Sequence, residues 1–277
     1  MYYPPDFDSK RAIELGELVQ QAYEQHNEYK KKPWQLKGPY DLVCTITYNP
    51  MSLGFAVEED AGPTLIDKEI AETEPQGPDS FGLFDEYYPM GFVATSKDGK
   101  DAYLIFRGTQ TKQEFVKDAK ILWTPYPCIK NWGNVALGFS EVYMACRASF
   151  IDELGKLGND LNLYISGHSL GGALTVLAQP DVIKATHFKK PIQYNFAGPR
   201  VGDRDFVAAY NALPDQKTFR IVNSSDIVPA APPPAPMYYS HVEMQVDFNT
   251  QTNSVGGNHD METYLTALGK PLKKSAK

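Results

Sequence analysis

The sequence predicts an α/β fold in which a mostly parallel central sheet is flanked by helices. Short apolar runs typical of buried strands alternate with longer segments typical of helices. A Gly-x-Ser-x-Gly motif, Gly167–Gly171, joins one such strand to a helix. The dipeptide Asp98-Gly99 predicts a hairpin turn, which indicates additional antiparallel strands on the N-terminal side of the sheet.

The elements follow one another along the whole chain. An opening helix has Asp8 or Ser9 as its cap. The polar stretch 58–80 is predicted to be a long surface loop, and the proline-rich stretch 229–236 a stiff one. The predicted elements are a helix over 9–29, strands over 41–48, 91–95 and 102–106, a helix over about 137–157, a strand over 161–166, a helix continuing through 173–178, strands over 192–196, 218–222 and 241–248, and a closing helix over 261–268.

Composition limits the classes of protein to which the chain can belong. A length of 277 residues with 42% hydrophobic content predicts a single domain over 1–277. The net charge of −7 argues against a nucleic-acid partner, and no apolar run is long enough for a transmembrane segment. The N-terminus lacks a secretory signal, which leaves open an intracellular protein or one whose leader is missing. The spacing of the three cysteines matches no zinc or redox motif. The sequence does not exclude a single disulfide between two of them.

Ser169 is the predicted nucleophile. It lies in Gly-His-Ser-Leu-Gly-Gly between a predicted strand and a predicted helix, which is the setting of a nucleophile elbow. In such a turn Gly167 and Gly171 allow close approach of neighbouring backbone, and the serine adopts a strained conformation. The start of the helix directs unpaired N–H groups and the positive end of its dipole at the reacting centre.

A serine nucleophile needs a base and an acid, and chain order narrows the choice. On a strand–elbow–helix scaffold the order is serine, acid, histidine. His259 lies in a glycine-bearing loop before the last helix, so it is the predicted base; we expect a surface role for His187 and a structural one for His241. Asp226 follows a strand at the same sheet edge as Ser169 and is the predicted acid. The competing acids are Asp203 and Asp205.

The negative oxygen of the tetrahedral intermediate needs hydrogen-bond donors. The N–H of Leu170, directly after the nucleophile, is predicted to supply one. A second donor is expected from the loop that follows an early strand, where Phe106-Arg107-Gly108-Thr109 ends such a strand.

With these residues in place, the sequence resembles the class 3 lipase family, the fungal-type lipases. The resemblance implies an α/β-hydrolase fold, a triad of Ser169, His259 and Asp226, and catalysis without a cofactor or metal. It also implies that Thr109 is the second oxyanion donor and that a short lid spans about 110–120. The segments that carry the resemblance are Phe106–Thr109, Gly138-Phe139, Gly167–Gly172, Ala197–Gly202 and Asn223–Pro229, together with Ser240-His241 and with His259 and Tyr264.

The implied activity is hydrolysis of carboxylic esters, with an acylglycerol substrate and a lipid–water interface as expected partners. A triacylglycerol lipase comes first, a short-chain or feruloyl-type carboxylesterase second and a phospholipase third. A hydrolase relative that only binds lipid or a protein partner is the non-enzymatic alternative, although the intact triad argues against it. In the lid, Phe115 and Val116 are the large apolar residues. Trp123 and Tyr126 fit either an acyl groove or the core equally well.

Overall fold

The computed structural model describes residues 3–29, 31–48, 88–109, 122–215, 217–235 and 237–270. The predicted surface loop over 58–80 and the predicted lid over 110–120 lie outside these ranges. The helices are α1 Ser9–Glu28, α2 Leu137–Arg147, α3 Ile151–Gly155, α4 Leu170–Ala185, α5 Arg204–Asn211, α6 Val255–Asn258 and α7 Met261–Ala267. The strands are β1 Tyr40–Tyr48, β2 Tyr88–Ser96, β3 Asp101–Phe106, β4 Trp123–Pro125, β5 Asn134–Ala136, β6 Asn162–His168, β7 Ile192–Phe196, β8 Lys217–Asn223 and β9 Gln245–Phe248.

Among the described residues, seven strands form the central sheet in the order β1-β2-β3-β6-β7-β8-β9. The pairings of β1 with β2 and of β2 with β3 are antiparallel, and the four pairings from β3 to β9 are parallel. The α/β fold with a mostly parallel sheet and antiparallel strands on its N-terminal side is therefore confirmed. Asp8 caps α1 by accepting from the N–H groups of Lys10 and Arg11, as one of the two predicted caps.

The core lies on both faces of the sheet, because successive residues of a strand point to opposite sides. Leu104 and Phe106 of β3 pack in one cluster with α2 and α4, whereas Tyr103 and Ile105 pack in a second cluster with α1 and α7. The sheet thus forms the middle of three layers. α4 is buried along most of its length and packs on β6.

The parallel strands bring the predicted site residues to one edge. Phe106 of β3 pairs with Gly167 of β6, and His168 of β6 pairs with Phe196 of β7. The carboxyl ends of β3, β6, β7 and β8 therefore lie side by side. Ligand sites of parallel sheets form at this edge, because the loops that leave the strands converge there.

Two predicted elements differ from the structure, and other observed elements were not predicted. The helix predicted over 137–157 is interrupted after Arg147, because the Ser149 hydroxyl donates to Cys146 O and accepts from the N–H of Thr47 in β1. The strand predicted to begin at His241 begins at Gln245, and the preceding Val242 O is taken by the Arg220 side chain. The helix α5 and the short hairpin of β4 and β5 were not predicted. The proline-rich stretch begins in a single 3-10 turn, Val228–Ala230.

Candidate active site

Ser169 occupies the turn between β6 and α4. Its backbone has φ +57° and ψ −123°, a combination that residues with a side chain rarely adopt. The residue is 4% exposed. The strained conformation predicted for the serine is therefore present, and the packing around it must maintain the strain.

Two glycines allow this turn for steric reasons. A Cβ at Gly167 would lie 2.4 Å from Gly171 O, and a Cβ at Gly171 would lie 2.5 Å from Arg107 O. Both contacts are with backbone atoms, which cannot move aside without moving a strand or a helix. The close approach predicted for these glycines is confirmed.

Asp226 and His259 form a buried pair. Nδ1 of His259 lies 2.6 Å from Oδ2 of Asp226, and the two residues are 2% and 6% exposed respectively. A carboxylate oxygen can only accept, so Nδ1 carries the proton and Nε2 is the ring nitrogen able to take one. Oδ1 of Asp226 accepts from the N–H of Val228 at 3.0 Å, and Oδ2 also accepts from the Tyr264 hydroxyl at 2.7 Å.

The residue before the serine connects the turn to the histidine loop. Nε2 of His168 lies 2.8 Å from His259 O, and the two rings are 4.6 Å apart between centroids. Because the carbonyl accepts, Nε2 of His168 is the donor, and its Nδ1 then accepts from the Tyr23 hydroxyl at 2.8 Å when the ring is neutral. The hydrogen bonds among the described residues do not include one from the Ser169 hydroxyl to His259; in ligand-free enzymes this contact is often long.

The alternative histidines have other contacts. Nε2 of His241 donates to Pro229 O at 2.7 Å. Burial, followed by the charges of Arg220 and Arg200, lowers the pKa of His241 to about 3. These contacts agree with the structural role expected for His241. The ring of His187 lies against that of Phe188, with centroids 4.2 Å apart and an interplanar angle of 36°.

The alternative acids serve the fold. Asp203 caps α5 by accepting from the N–H of Phe206 at 2.8 Å, and its other oxygen accepts from the main chain and side chain of Asn134. Asp205 lies in the first turn of α5 and is exposed. Of the three acids named from the sequence, Asp226 is the one in contact with His259.

The two predicted oxyanion donors are Leu170, which directly follows the serine, and Thr109, which directly follows Gly108. Leu170 is the first residue of α4, so its N–H has no acceptor within the helix. Gly108 packs tightly against the serine turn, since a Cβ on it would lie 2.8 Å from Ser169 Cβ and 2.6 Å from His168 O. Thr109 follows this contact and is buried.

The predicted groove residues have different surroundings. Phe115 and Val116 lie outside the described residues. Tyr126 is 3% exposed within the core, and its hydroxyl donates to Leu177 O at 2.7 Å, which supports the core interpretation of this residue. Trp123 is partly buried and stacks on Tyr239 with ring centroids 3.9 Å apart.

Several residues that support the site were not predicted from the sequence. His168 lies inside the serine motif, which was a usable signal, but its partner Tyr23 is 145 positions away on α1. Asn223 and Asn258 join the acid and histidine loops, and nothing in their local sequence indicates it. Within the described ranges, no group of three His, Cys, Asp or Glu side chains suits a metal ion. Nor does any described helix have the length and apolar character needed to cross a bilayer.

Comparison with known proteins identifies sequences that are similar to this chain. The family model described as Lipase (class 3) matches residues 103–235, which include the serine turn and Asp226. Phospholipase A1-II 1 of Oryza sativa is 30% identical over 213 residues, covering 64% of this chain and 53% of the relative. Galactolipase DONGLE, chloroplastic, of Arabidopsis thaliana is 27% identical over 239 residues, covering 66% of this chain and 50% of the relative. The chain thus spans about half the length of these curated relatives.

Solved structures share the fold. Lipase II from Rhizopus niveus has a TM-score of 0.62 at 19% identity, covering 88% of this chain and 83% of that chain. The Rhizomucor miehei lipase propeptide complex has a TM-score of 0.52 at 26% identity, covering 57% of this chain and 51% of that chain. The sheet and its flanking helices are therefore an α/β-hydrolase fold, as the resemblance implied.

Proposed function

We propose that the chain, whose residues 103–235 match the class 3 lipase family model, is a hydrolase of this family that cleaves carboxylic ester bonds of acylglycerols through an acyl-enzyme on Ser169. The observation that carries the proposal is the 2.6 Å contact between Nδ1 of His259 and Oδ2 of Asp226, together with the hydrogen bond from His168, the residue before a serine held at positive φ, to His259 O. Residues 1–277 would act as one hydrolase domain. The Gln20–Glu262 hydrogen bond at 2.9 Å, which joins α1 to α7, supports this view.

The chemistry follows from the roles of the three side chains. Oγ of Ser169 attacks the ester carbonyl carbon while Nε2 of His259 accepts the hydroxyl proton. Asp226 stabilises the imidazolium, and the N–H groups of Leu170 and Thr109 stabilise the negative oxygen of the tetrahedral intermediate. The imidazolium then protonates the leaving alcohol, which departs and leaves the acyl group on the serine. Water, deprotonated by His259, attacks the acyl carbon; the bond to Oγ of Ser169 then breaks, His259 returns the proton to Oγ, and the carboxylic acid is released.

A phospholipid substrate is the second candidate. The observation that favours it is that relatives at 27–30% identity are named phospholipase A1 or galactolipase, whereas the solved structures of similar fold are lipases. These substrates share a fatty acyl ester on glycerol and differ in the polar group that the site must accept. A lipid–water interface would be the physical partner in each case.

Initial rates on three substrates test the proposal. The substrates are a soluble butyrate ester, emulsified triolein and phosphatidylcholine vesicles, each with the Ser169→Ala variant as the blank. Loss of the nucleophile is expected to lower kcat by about 10⁶-fold without unfolding the protein. Turnover of triolein supports a triacylglycerol lipase, and faster turnover of phosphatidylcholine supports the second candidate. Turnover of the butyrate ester alone supports an esterase.

A wild-type rate equal to that of Ser169→Ala on all three substrates would reject ester hydrolysis. A fluorophosphonate separates that result from a poor choice of substrate, because it reacts with an activated serine whatever acyl group the enzyme prefers. Labelling of the wild type but not of Ser169→Ala is the expected result. A folded wild type that resists labelling would favour a binding protein.

A further inference from the structure

Two asparagines join the loop that carries Asp226 to the loop that carries His259. Asn223 is the last residue of β8, and Asn258 ends α6 directly before His259. Each amide donates to a main-chain carbonyl of the other loop: Nδ2 of Asn223 lies 3.0 Å from Asn258 O, and Nδ2 of Asn258 lies 2.9 Å from Ser225 O. Asn223 and Asn258 are called the asparagine pair below.

The side chain of Asn223 makes hydrogen bonds to the main chain that follows β9. Its Nδ2 also donates to Thr250 O at 2.8 Å, and its Oδ1 accepts from the N–H of Thr250 at 3.0 Å and of Ser225 at 3.3 Å. The last ladder partner of Asn223 is Phe248, so the side chain holds the chain where strand pairing stops. The residue is fully buried, and a buried amide with these partners has one fixed orientation.

Asn258 makes hydrogen bonds within the loop that carries His259. Its Oδ1 accepts from the N–H of Thr252 at 2.6 Å and from the Thr252 hydroxyl at 2.9 Å, while its Nδ2 reaches Ser225 O. Two of the carbonyls that the asparagine pair binds belong to the residues directly before the predicted acid and base. Ser225 precedes Asp226, and Asn258 precedes His259. The asparagine pair therefore holds in place the main-chain segments directly before Asp226 and His259.

We propose that Asn223 and Asn258 are positioning residues that set the distance between Asp226 and His259 and so control kcat. The inference rests on the proposed function, because it concerns the alignment of that triad. Neither asparagine side chain contacts the Asp226 or His259 side chain in the hydrogen bonds described, so the pair acts through the main chain. The 2.6 Å contact joins residues 33 positions apart, and a shift of about 1 Å in such a contact costs on the order of 10²-fold in rate.

The test compares Asn223→Ala, Asn258→Ala and the double variant on the soluble butyrate ester. Asn249→Ala is the matched control, because Oδ1 of Asn249 accepts from the Ser225 hydroxyl at 3.0 Å on the exposed side of the same loop. Each pair variant is expected to lower kcat by about 10- to 100-fold with KM unchanged. The double variant is expected to lose little more than the worse single variant, since either change already releases the same two loops. Asn249→Ala should keep the wild-type kcat.

Thermal unfolding midpoints separate positioning from a purely structural role, with all rates measured well below the lowest midpoint. Lower midpoints with wild-type kcat, an effect confined to KM, or an equal loss in Asn249→Ala would each overturn the inference. If Asn223→Ala does not fold, Asn258→Ala decides, because Asn258 is only partly buried. A wild type no faster than Ser169→Ala rejects the proposed function and this inference with it. An active wild type with unaffected pair variants rejects the inference alone.

Discussion

The hydroxyl of Tyr264 donates a hydrogen bond to Oδ2 of Asp226 over 2.7 Å, and the same oxygen lies 2.6 Å from Nδ1 of His259. Burial and the charge of Asp226 raise the pKa of Tyr264 well above its ordinary value, so the phenol stays protonated and remains a donor. The hydroxyl also accepts from the N–H of Asn223 at 3.2 Å. Tyr264 therefore connects the predicted acid to the end of β8.

Tyr264→Phe is expected to reduce both stability and rate. It leaves the buried N–H of Asn223 without its acceptor and removes a donor from a carboxylate, which together cost about 1–3 kcal/mol of unfolding free energy. We expect kcat on a soluble ester to fall about tenfold, because Val228 and His259 still hold Asp226.

Tyr40→Phe is the control for this prediction. Its hydroxyl donates to Glu14 at 2.9 Å, so the change removes a similar tyrosine–carboxylate bond at a distant place. Urea unfolding and kcat measured on both variants should show a stability loss in each and a rate loss in Tyr264→Phe alone. Equal rates in the two variants would contradict the role given to Tyr264.

Asp226 and Asp203 are predicted to separate activity from stability. Asp226→Asn should lower kcat by about 10⁴-fold, because an amide no longer holds the proton of His259 on Nδ1. Asp203→Ala should leave kcat unchanged and cost about 1–2 kcal/mol, because it removes the cap of α5. Steady-state kinetics and thermal unfolding of both variants test the assignment. A large rate loss in Asp203→Ala, with little in Asp226→Asn, would make Asp203 the acid.

The Gly108→Ala variant tests the tight packing beside the serine. The new Cβ would lie 2.4 Å from the Tyr23 hydroxyl and 2.6 Å from His168 O, so the backbone leading to Thr109 must move away from the elbow. Loss of one oxyanion donor lowers kcat by about 10²- to 10³-fold, and we expect an effect of this size. Gly155→Ala in α3 is the control, since no described atom lies within 4 Å of its Cβ. If Gly108→Ala kept the wild-type kcat, the oxyanion-donor role of Thr109 could not depend on the close packing of Gly108.

The sequence predicted the parts of the molecule that depend on local pattern. The serine turn was predictable because a strand, two glycines and a helix are adjacent in the chain, and the sheet edge followed from the alternation of elements. Asp226 and His259 could be selected because chain order and strand ends restrict the choice, and they are in contact. The break after Arg147 was not predictable, because it depends on the contact of Ser149 with Thr47, 102 positions away.

Short elements and long-range contacts were missed for the same physical reason. Three-residue strands such as β4 and β5 contain too few residues for a periodic pattern, and their pairing depends on neighbouring structure. The start of β9 was misplaced because the side chain of Arg220 binds Val242 O at 2.6 Å, a contact that hydrophobicity does not indicate. Tyr23 and the asparagine pair likewise act between elements that are distant in the sequence.

Stability is predicted to fall as the pH drops below neutral, and His241 is one cause. Burial and the charges of Arg220 and Arg200 lower the pKa of His241 from 6.5 to about 3 in the folded protein. The unfolded chain therefore binds more protons between these values, so stability present above pH 6.5 is lost progressively as the pH falls toward 3. One such group contributes a slope of about 1.4 kcal/mol per pH unit within this window.

The His241→Gln variant isolates this contribution. Glutamine keeps an N–H donor for Pro229 O, three residues after Asp226, but has no group that titrates in this range. Urea unfolding at pH 7 and pH 5 should show a smaller drop in stability for His241→Gln than for the wild type, by about 1–2 kcal/mol. The carboxylates of the protein contribute equally to both proteins and cancel in the comparison. Identical drops in stability in the two proteins would show that His241 takes up its proton at the same pH in the folded and unfolded states. That result would contradict the burial of His241 beside two arginines as a cause of the acid sensitivity.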